Sequence, residues 1–409
     1  MKNRLTVPFG TMSVTAKAKK LVTEIMATGN LSCGKYVREF EVKFAELIGI
    51  KEAVAVSSGT DADTLALAVL HDYGARRGDE IIVPSLSFVA TGNAVLHAGF
   101  TPVFVDVRPE TLNIDPDLIA AAITEKTRAI MPVHLMGKPA EMDKIMALAK
   151  KHKLVVIEDA AEAHGSTYKG RNVGTIGVMG AYSLYVAHMI STIEGGVITT
   201  DNSDYAEILR SLRSHGRSCN CRSCIMNTGA ISCPKRFKQG RDMRFVFERI
   251  GYSAKMNELE AAVGLGNIEA WPKYLKRRKE NLAYLMDNFS KYYPDLSTFK
   301  IEKYEEIGPH AFPLIIGREA KFTRDELVRY LSGRGIDSRN LFLSMPTQCP
   351  GFKYLGYKLG QFPVAEYIGE HGLHIGLHQG LELRHMKYFI AVLDMFLNEK
   401  KQMRGTIYR

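Results

Sequence analysis

No run of about eighteen apolar residues occurs in this chain, so no helical membrane span is expected. The amino terminus, Met1 through Pro8, carries its charges with no apolar stretch behind them, so a secretory leader is not expected either. A cytoplasmic protein follows as the expectation. Internal repeats and low-complexity tails are lacking, which argues against a solenoid or a tail-driven binder. No recognisable nucleic-acid-binding motif accompanies the net charge of +10. That surplus fits a solvated basic surface, or attraction for phosphorylated and nucleotide-linked small molecules. Cysteine is scarce, six among 409 residues, and in a reducing compartment these thiols are expected to be reduced or metal-bound. Yet four of the six, Cys219, Cys221, Cys224 and Cys233, crowd into fifteen residues, which is not a random scatter.

A chain of 409 residues, 46% hydrophobic, can bury a large core, and more than one domain is the default expectation. Helical spacing predicts a first helix over 16–27, with Leu21, Val22, Ile25 and Met26 on one face. It predicts a second over 36–48, with Val37, Phe40, Phe44, Leu47 and Ile48 inward and Gly49 as the stop. Short apolar runs then alternate with helical stretches. The predicted strands are 53–56, 80–83, 102–107, 129–133, 154–158, 180–185 and 196–199. Runs apolar throughout suit strands buried on both faces, and the alternation predicts an α/β fold with a mainly parallel seven-stranded sheet. In such sheets ligands sit at the carboxyl ends of the strands. After Asn257 the pattern changes to a helical region over 258–289, expected to be interrupted near Pro272. A strand over 311–316 and helices over 324–331 and 384–397 complete a smaller α+β unit. The domain expectation is therefore 1–257, a large unit with N-terminal helices and a cysteine-rich loop at 217–237, and 258–409, a connector helix with the small C-terminal domain.

The polar residues that carry chemistry fall at predicted strand ends. Ser57-Ser58-Gly59-Thr60-Asp61-Ala62 follows a strand and opens a helix, where backbone N–H groups bind phosphate and glycine permits close approach. A plain helix-capping turn uses the same residues. Asp159 ends a strand, where a carboxylate can hold the pyridinium proton of a pyridoxal-type cofactor or simply cap the next helix. Phe88 is either a core aromatic or a ring that stacks on a cofactor. His188 follows the strand ending near Tyr185 and precedes Glu194-Gly195-Gly196, a glycine turn into the next strand. Cys219-Asn220-Cys221-Arg222-Ser223-Cys224 with Cys233 supplies four soft ligands, a set that selects an iron–sulfur cluster or zinc.

Taken together, these segments resemble the DegT/DnrJ/EryC1/StrS family of pyridoxal-phosphate sugar aminotransferases and dehydratases. The markers are Ser57-Ser58-Gly59-Thr60-Asp61-Ala62, Pro132-Val133-His134-Leu135-Met136-Gly137, Glu158-Asp159-Ala160-Ala161-Glu162-Ala163-His164-Gly165 and Gly251-Tyr252-Ser253-Ala254-Lys255-Met256-Asn257-Glu258, in order. The resemblance implies the aspartate aminotransferase-like fold type I and a homodimer with sites shared between subunits. It implies that Gly59, Thr60 and Ser183 bind the cofactor phosphate, that Phe88 stacks on the ring and that Asp159 pairs with the ring nitrogen. It places His188 where the family carries its cofactor-tethering lysine. A primary amine condenses with the cofactor's aldehyde, whereas an imidazole cannot, although it moves protons near neutral pH.

Histidine there resembles the family's 3-dehydratase branch, which uses pyridoxamine phosphate on nucleotide-linked 4-keto-6-deoxyhexoses; an aminoglycoside-type sugar is a second substrate class. In that branch His188 is the expected base for removal of a hydroxyl at C3. The cysteine loop resembles the branch's iron–sulfur type, the CDP-6-deoxy-hexulose 3-dehydrase group, which carries a [2Fe–2S] cluster and draws electrons from a ferredoxin or flavin reductase. Zinc is the alternative metal. Three positions depart from that pattern. Ala161 stands where the iron–sulfur type has a further cysteine, and Glu162 where Gln, His or Asp is usual. Ser253 stands in place of the asparagine that reaches the neighbouring subunit's phosphate. Two rivals remain: an aminotransferase using Lys235 or Lys255, and a non-catalytic cofactor-binding regulator with structural zinc.

Overall fold

The computed structural model describes residues 5–219, 221 and 232–407. Two helices come first, α1 (Ala16–Thr28) and α2 (Lys35–Ile48), both stopping at left-handed glycines, Gly29 with φ 69° and Gly49 with φ 78°. α2 buries Val37, Phe40, Phe44 and Ile48, as its spacing predicts. On α1 only Ile25 of the expected face is fully buried and Met26 is 57% exposed. The reason is local: α1 approaches a later helix through small residues, Ala18 against Gly266.

The strands that follow are β1 (Glu52–Val56), β2 (Glu80–Pro84), β3 (Thr101–Val105), β4 (Thr127–Ile130), β5 (Val155–Asp159), the short β6 (Thr167–Tyr168) and β7 (Arg171–Asn172), β8 (Met179–Ser183) and β9 (Gly196–Thr200). Seven of them form one sheet in the order β1-β9-β8-β5-β4-β2-β3. β9 runs antiparallel to β1 and β8, and the other pairings are parallel. These are the seven strands read from the sequence, with ends earlier than expected at 105, 130 and 183. Beyond the ends at 130 and 183 the chain leaves the ladder and contributes Val133 and Tyr185 to a cavity. Helices α3 (Gly59–Ala68), α4 (Val89–His97), α5 (Pro116–Ala122), α6 (Met142–His152) and α7 (Ser203–Leu212) lie between the strands in sequence. Apolar side chains on the sheet's two faces enter two core clusters, Val54, Ile81 and Val83 in one and Ala55, Ile82 and Ile130 in the other. This is why the strands read as continuous apolar runs.

A hairpin, β10 (Phe237–Lys238) and β11 (Arg241–Asp242), precedes α8 (Glu258–Phe289), which Asn257 and Glu260 close with a capping box. The expected break at Pro272 does not occur: α8 is one helix with the proline inside. An interior proline costs about 3 kcal/mol, and burial of Trp271, Leu265 and Leu282 around it offsets that, at roughly 1.5–3 kcal/mol per large apolar side chain. The remaining elements are β12 (Leu296–Ser297), β13 (Glu305–Glu306), β14 (Ala311–Ile316), α9 (Arg324–Ser332), β15 (Ser338–Asn340), α10 (Met345–Gln348), α11 (Pro363–His371), β16 (Gly372–Gly376) and α12 (Leu383–Ile407). A four-stranded antiparallel sheet, β12-β14-β16-β15, forms here. β13 instead pairs with β6, and a buried ion pair, Lys138 Nζ to Glu305 Oε1 at 2.5 Å, fastens it to the first part of the chain. Among the described residues no helix is long and apolar enough to cross a membrane.

Candidate active site

The carboxyl ends of β1, β5 and β8 converge on a cavity of about 530 Å3. One wall is the start of α3. Ser58 caps that helix by accepting from the Asp61 N–H, and Asp61 in turn accepts from the hydroxyls of Ser57 and Ser58. The N–H groups of Gly59 and Thr60, in the first turn, have no carbonyl partner within the helix and belong to residues lining the cavity. Gly59 is required by packing: a Cβ there would lie 2.6 Å from Ser183 Cβ and 2.8 Å from its Oγ. The helix start and the end of β8 therefore make one cradle, and such a cradle favours a phosphate.

Glu158 and Asp159 sit side by side on β5 and do different work, because successive side chains of a strand point to opposite faces. Glu158 accepts from the N–H groups of Gly174, Ile176 and Gly177 and lies 3.0 Å from His134 Nε2. It is an anchor for the chain between β7 and β8. Asp159 lines the cavity, accepting from the Thr91 hydroxyl at 2.8 Å and the Ala161 N–H at 3.1 Å. Burial raises its carboxyl above the usual carboxylate range, and the Thr91 hydrogen bond opposes that rise. A buried cation at the same spot, such as a protonated ring nitrogen, is what such a carboxylate stabilises.

His188 lies on the connection between β8 and β9. That connection is held by Leu184 N–H to Gly195 O, Thr192 N–H to Leu184 O and His188 N–H to Tyr185 O, each at 2.9 Å. Asn267 from α8 donates to Ser191 O at 2.7 Å and pins it from below. Burial, with the Arg278 guanidinium as the second cause, pulls the His188 imidazole down to about 4, and its Nδ1 is buried without a hydrogen-bond partner. The ring is thus neutral throughout the neutral pH range, so its titration lies well below the near-neutral value expected of an exposed histidine. No lysine is among the described residues lining the cavity. Lys235 and Lys255, the alternatives weighed from sequence, are both exposed and outside it.

The structure brings Gly59, Thr60, Phe88, Asp159, Glu162, Ser183 and His188 to this one cavity. Phe88 is 57% exposed, so it is no core aromatic; it overhangs the cavity beside Phe342, ring centroids 5.6 Å apart. Glu162 accepts from the Met136 N–H at 2.8 Å, and burial lifts its carboxyl to about 8. Ser253 is exposed outside the cavity, bridging to Ser214. Cys219, Cys221 and Cys233 are half-buried, and Cys224 lies outside the described residues. Among the described residues no group of three or more His, Cys, Asp or Glu side chains is gathered as a metal site, so the described thiols do not by themselves build one.

Sequence reasoning missed Asp63, Thr91, His310, Arg339, Asn340, Phe342 and His374, all of which line the cavity. Asp63 had a signal, two residues beyond the marker Asp61 in a run that otherwise turns apolar. It is wholly buried, one carboxylate oxygen has no partner, and burial beside Asp159 holds it well above the usual range. Thr91 lies three residues after Phe88 in the same run, while His310, Arg339, Asn340, Phe342 and His374 come from segments far away in sequence and carried no local signal.

A mainly parallel seven-stranded sheet with one reversed strand, a phosphate cradle at the first helix start and a buried carboxylate at a neighbouring strand end define a pyridoxal-phosphate enzyme of the aminotransferase fold. The chain belongs to the DegT/DnrJ/EryC1/StrS aminotransferase family, whose model matches residues 13–394. It is 34% identical over 380 residues to dTDP-4-dehydro-2,6-dideoxy-D-glucose 3-dehydratase of Saccharopolyspora spinosa, covering 90% of this chain and 81% of that one. It is 35% identical over 376 residues to GDP-perosamine synthase of Caulobacter vibrioides, covering 90% and 91%. The crystal structure of E. coli GDP-4-keto-6-deoxy-D-mannose-3-dehydratase with bound hydrated PLP superposes with a TM-score of 0.83 at 29% identity, over 96% of this chain and all of that one. The protein is a sugar-modifying enzyme of the pyridoxal-phosphate class, and the cradle, Asp159 and the unpartnered His188 nitrogen all suit that cofactor.

Proposed function

We propose that this enzyme is a pyridoxamine-phosphate-dependent 3-dehydratase of a nucleotide-linked 4-keto-6-deoxyhexose, with His188 as its base. The observation that carries this reading is a cofactor cavity lined by a half-buried neutral imidazole and no lysine among the described residues. Without a tether, the cofactor is held by non-covalent contacts alone. The N–H groups of Gly59 and Thr60 and the Ser183 hydroxyl hold the phosphate, Asp159 holds the ring-nitrogen proton, and Phe88 covers one face. Bound there, a pyridoxamine-type cofactor supplies a primary amine for the substrate ketone and a ring that draws electrons.

His188 removes a proton from the carbon that bears the amine, C4′, and returns a proton to the hydroxyl that departs from C3 as water. Exclusion of water by Phe88 and Phe342 keeps that proton between the reacting groups. The chain acts as a homodimer. The exposed Phe245, Phe247 and Ile250, near Ser253 in the chain, are the apolar surface that a second copy covers. A reductive ending through an iron–sulfur cluster and a reductase requires ligands beyond the described thiols, and no step here depends on it.

The test is a product analysis. Purified enzyme, pyridoxamine phosphate and GDP- or dTDP-linked 4-keto-6-deoxyhexoses are expected to yield a 3-deoxy sugar, ammonia and pyridoxal phosphate. A 4-amino sugar formed with glutamate, and no deoxygenation, identifies an aminotransferase instead.

A further inference from the structure

We propose that His310 and Glu162 form a buried proton relay behind His188, carrying the proton that His188 accepts onto the Glu162 carboxylate. This rests on the reading of His188 as the base. The three groups come from three separate segments. His188 is on the β8–β9 connection, Glu162 follows β5, and His310 directly precedes β14. The His188 and His310 rings touch, with centroids 5.0 Å apart and planes inclined by 38°. His310 Nε2 lies 3.8 Å from Glu162 Oε1, while the other Glu162 oxygen is fixed by the Met136 N–H. Nδ1 of His188 and Nδ1 of His310 are both buried with no hydrogen-bond partner. The backbone holds the arrangement from both sides: His310 N–H donates to Met136 O at 3.3 Å, and Arg278 of α8 donates to Pro309 O and His310 O, each at 3.2 Å. All three side chains line the cavity.

The need for a relay follows from the surroundings. The charged and titratable groups around His188 and His310 are Arg278 from α8, His164 and Glu162 from the chain after β5, Asp159 at the end of β5 and His374 from β16. Burial and the Arg278 guanidinium leave His188 at about 4, so it holds an accepted proton weakly at neutral pH. Glu162, lifted by burial to about 8, holds a proton far more tightly; it is mostly protonated at pH 7 and becomes an available acceptor as the pH passes through about 8. Proton balance is simple. The C–H bond at C4′ breaks as an N–H bond forms on His188. His310 Nδ1 takes the His188 proton, and His310 Nε2 gives its own to Glu162, which becomes a neutral acid. Both imidazoles end neutral. The same proton returns along the same path to the departing hydroxyl, which leaves as water; with the cofactor bound, the electron pair of the C4′–H bond would expel that hydroxyl, so oxidation at C4′ balances reduction at C3 and no outside redox partner is needed. Neither step spans a hydrogen bond here, His310 and Glu162 being 3.8 Å apart and both Nδ1 atoms unpartnered, so the relay requires both contacts to tighten around bound cofactor and substrate, as acid–base contacts commonly do in the productive complex.

Glu162 must be ionised to accept, so the relay strengthens as pH rises toward about 8. The first readout needs no cofactor: nitrogen NMR of the histidine rings in the cofactor-free protein. The His310 signal is expected to show an inflection near the Glu162 titration, and Glu162→Gln is expected to remove it. A wild-type His310 signal flat from pH 6 to 9 overturns the relay, whatever the variants do. The second readout is hydrogen exchange at C4′ of bound pyridoxamine phosphate against pH. Wild type is expected to rise toward about pH 8, while Glu162→Gln and His310→Gln lose that rise and fall at least tenfold at pH 8. Variants with the wild-type profile, beside a His188→Asn enzyme that no longer exchanges, sink the relay alone. Exchange that persists in His188→Asn sinks the base assignment itself.

Discussion

At residue scale the site turns on what burial does to three side chains. An exposed imidazole is half charged near neutrality, but His188 is neutral there because the protein interior disfavours its charged form. Glu162 is pushed the opposite way by the same cause, so the two exchange their usual order of proton affinity. Asp159, also buried, is raised above the usual carboxylate range by the same cause, and a buried cation beside it would favour its ionised form. The His188→Lys variant tests the position itself. Its amine is expected to reach the cofactor and hold it covalently, so that borohydride fixes pyridoxal phosphate to residue 188 and dialysis no longer removes it. A variant that releases all of its cofactor shows that residue 188 does not face the ring.

At the scale of elements, the sequence legibly held the seven strands, because both faces of the sheet are covered and each strand is apolar throughout. Gly49 as the stop of α2 was legible for a similarly local reason, its left-handed φ of 78°. Pro272 misled, since the cost of a proline is local while the burial that offsets it comes from α1, α2 and α12 packed along the same helix. The site divided along the same line. Gly59, Thr60, Asp159 and His188 each sit at a strand end within a recognisable run, whereas His310 directly precedes β14 and His374 lies in β16, and only the fold brings them beside His188. The joint between α3 and β8 gives a prediction at this scale. Gly59→Ala places a methyl 2.6 Å from Ser183 Cβ, so the helix start must retreat from the strand. Cofactor affinity, measured by equilibrium dialysis, is expected to fall at least tenfold, about 1.4 kcal/mol, with the secondary structure retained. Unchanged affinity would remove the cradle from the phosphate.

At the scale of the whole molecule, the cavity is assembled between the seven-stranded sheet, which brings the cradle, Asp159 and His188, and the later four-stranded sheet, which brings Arg339, Asn340 and His374. Under the proposed reading, the residues of the first sheet would hold the phosphate and ring, and those of the second line the rest of the cavity. Arg278 and His310 can be buried side by side because each is fastened by backbone or side-chain partners from a different element. The account as a whole stands on proton removal by an untethered pocket. Its most direct test is pyridoxamine phosphate deuterated at C4′, incubated with keto-sugar and either the wild-type enzyme or His188→Asn. The wild type is expected to release the deuterium to water, and the variant to bind the cofactor and release none. Release at the wild-type rate from the variant would contradict the account.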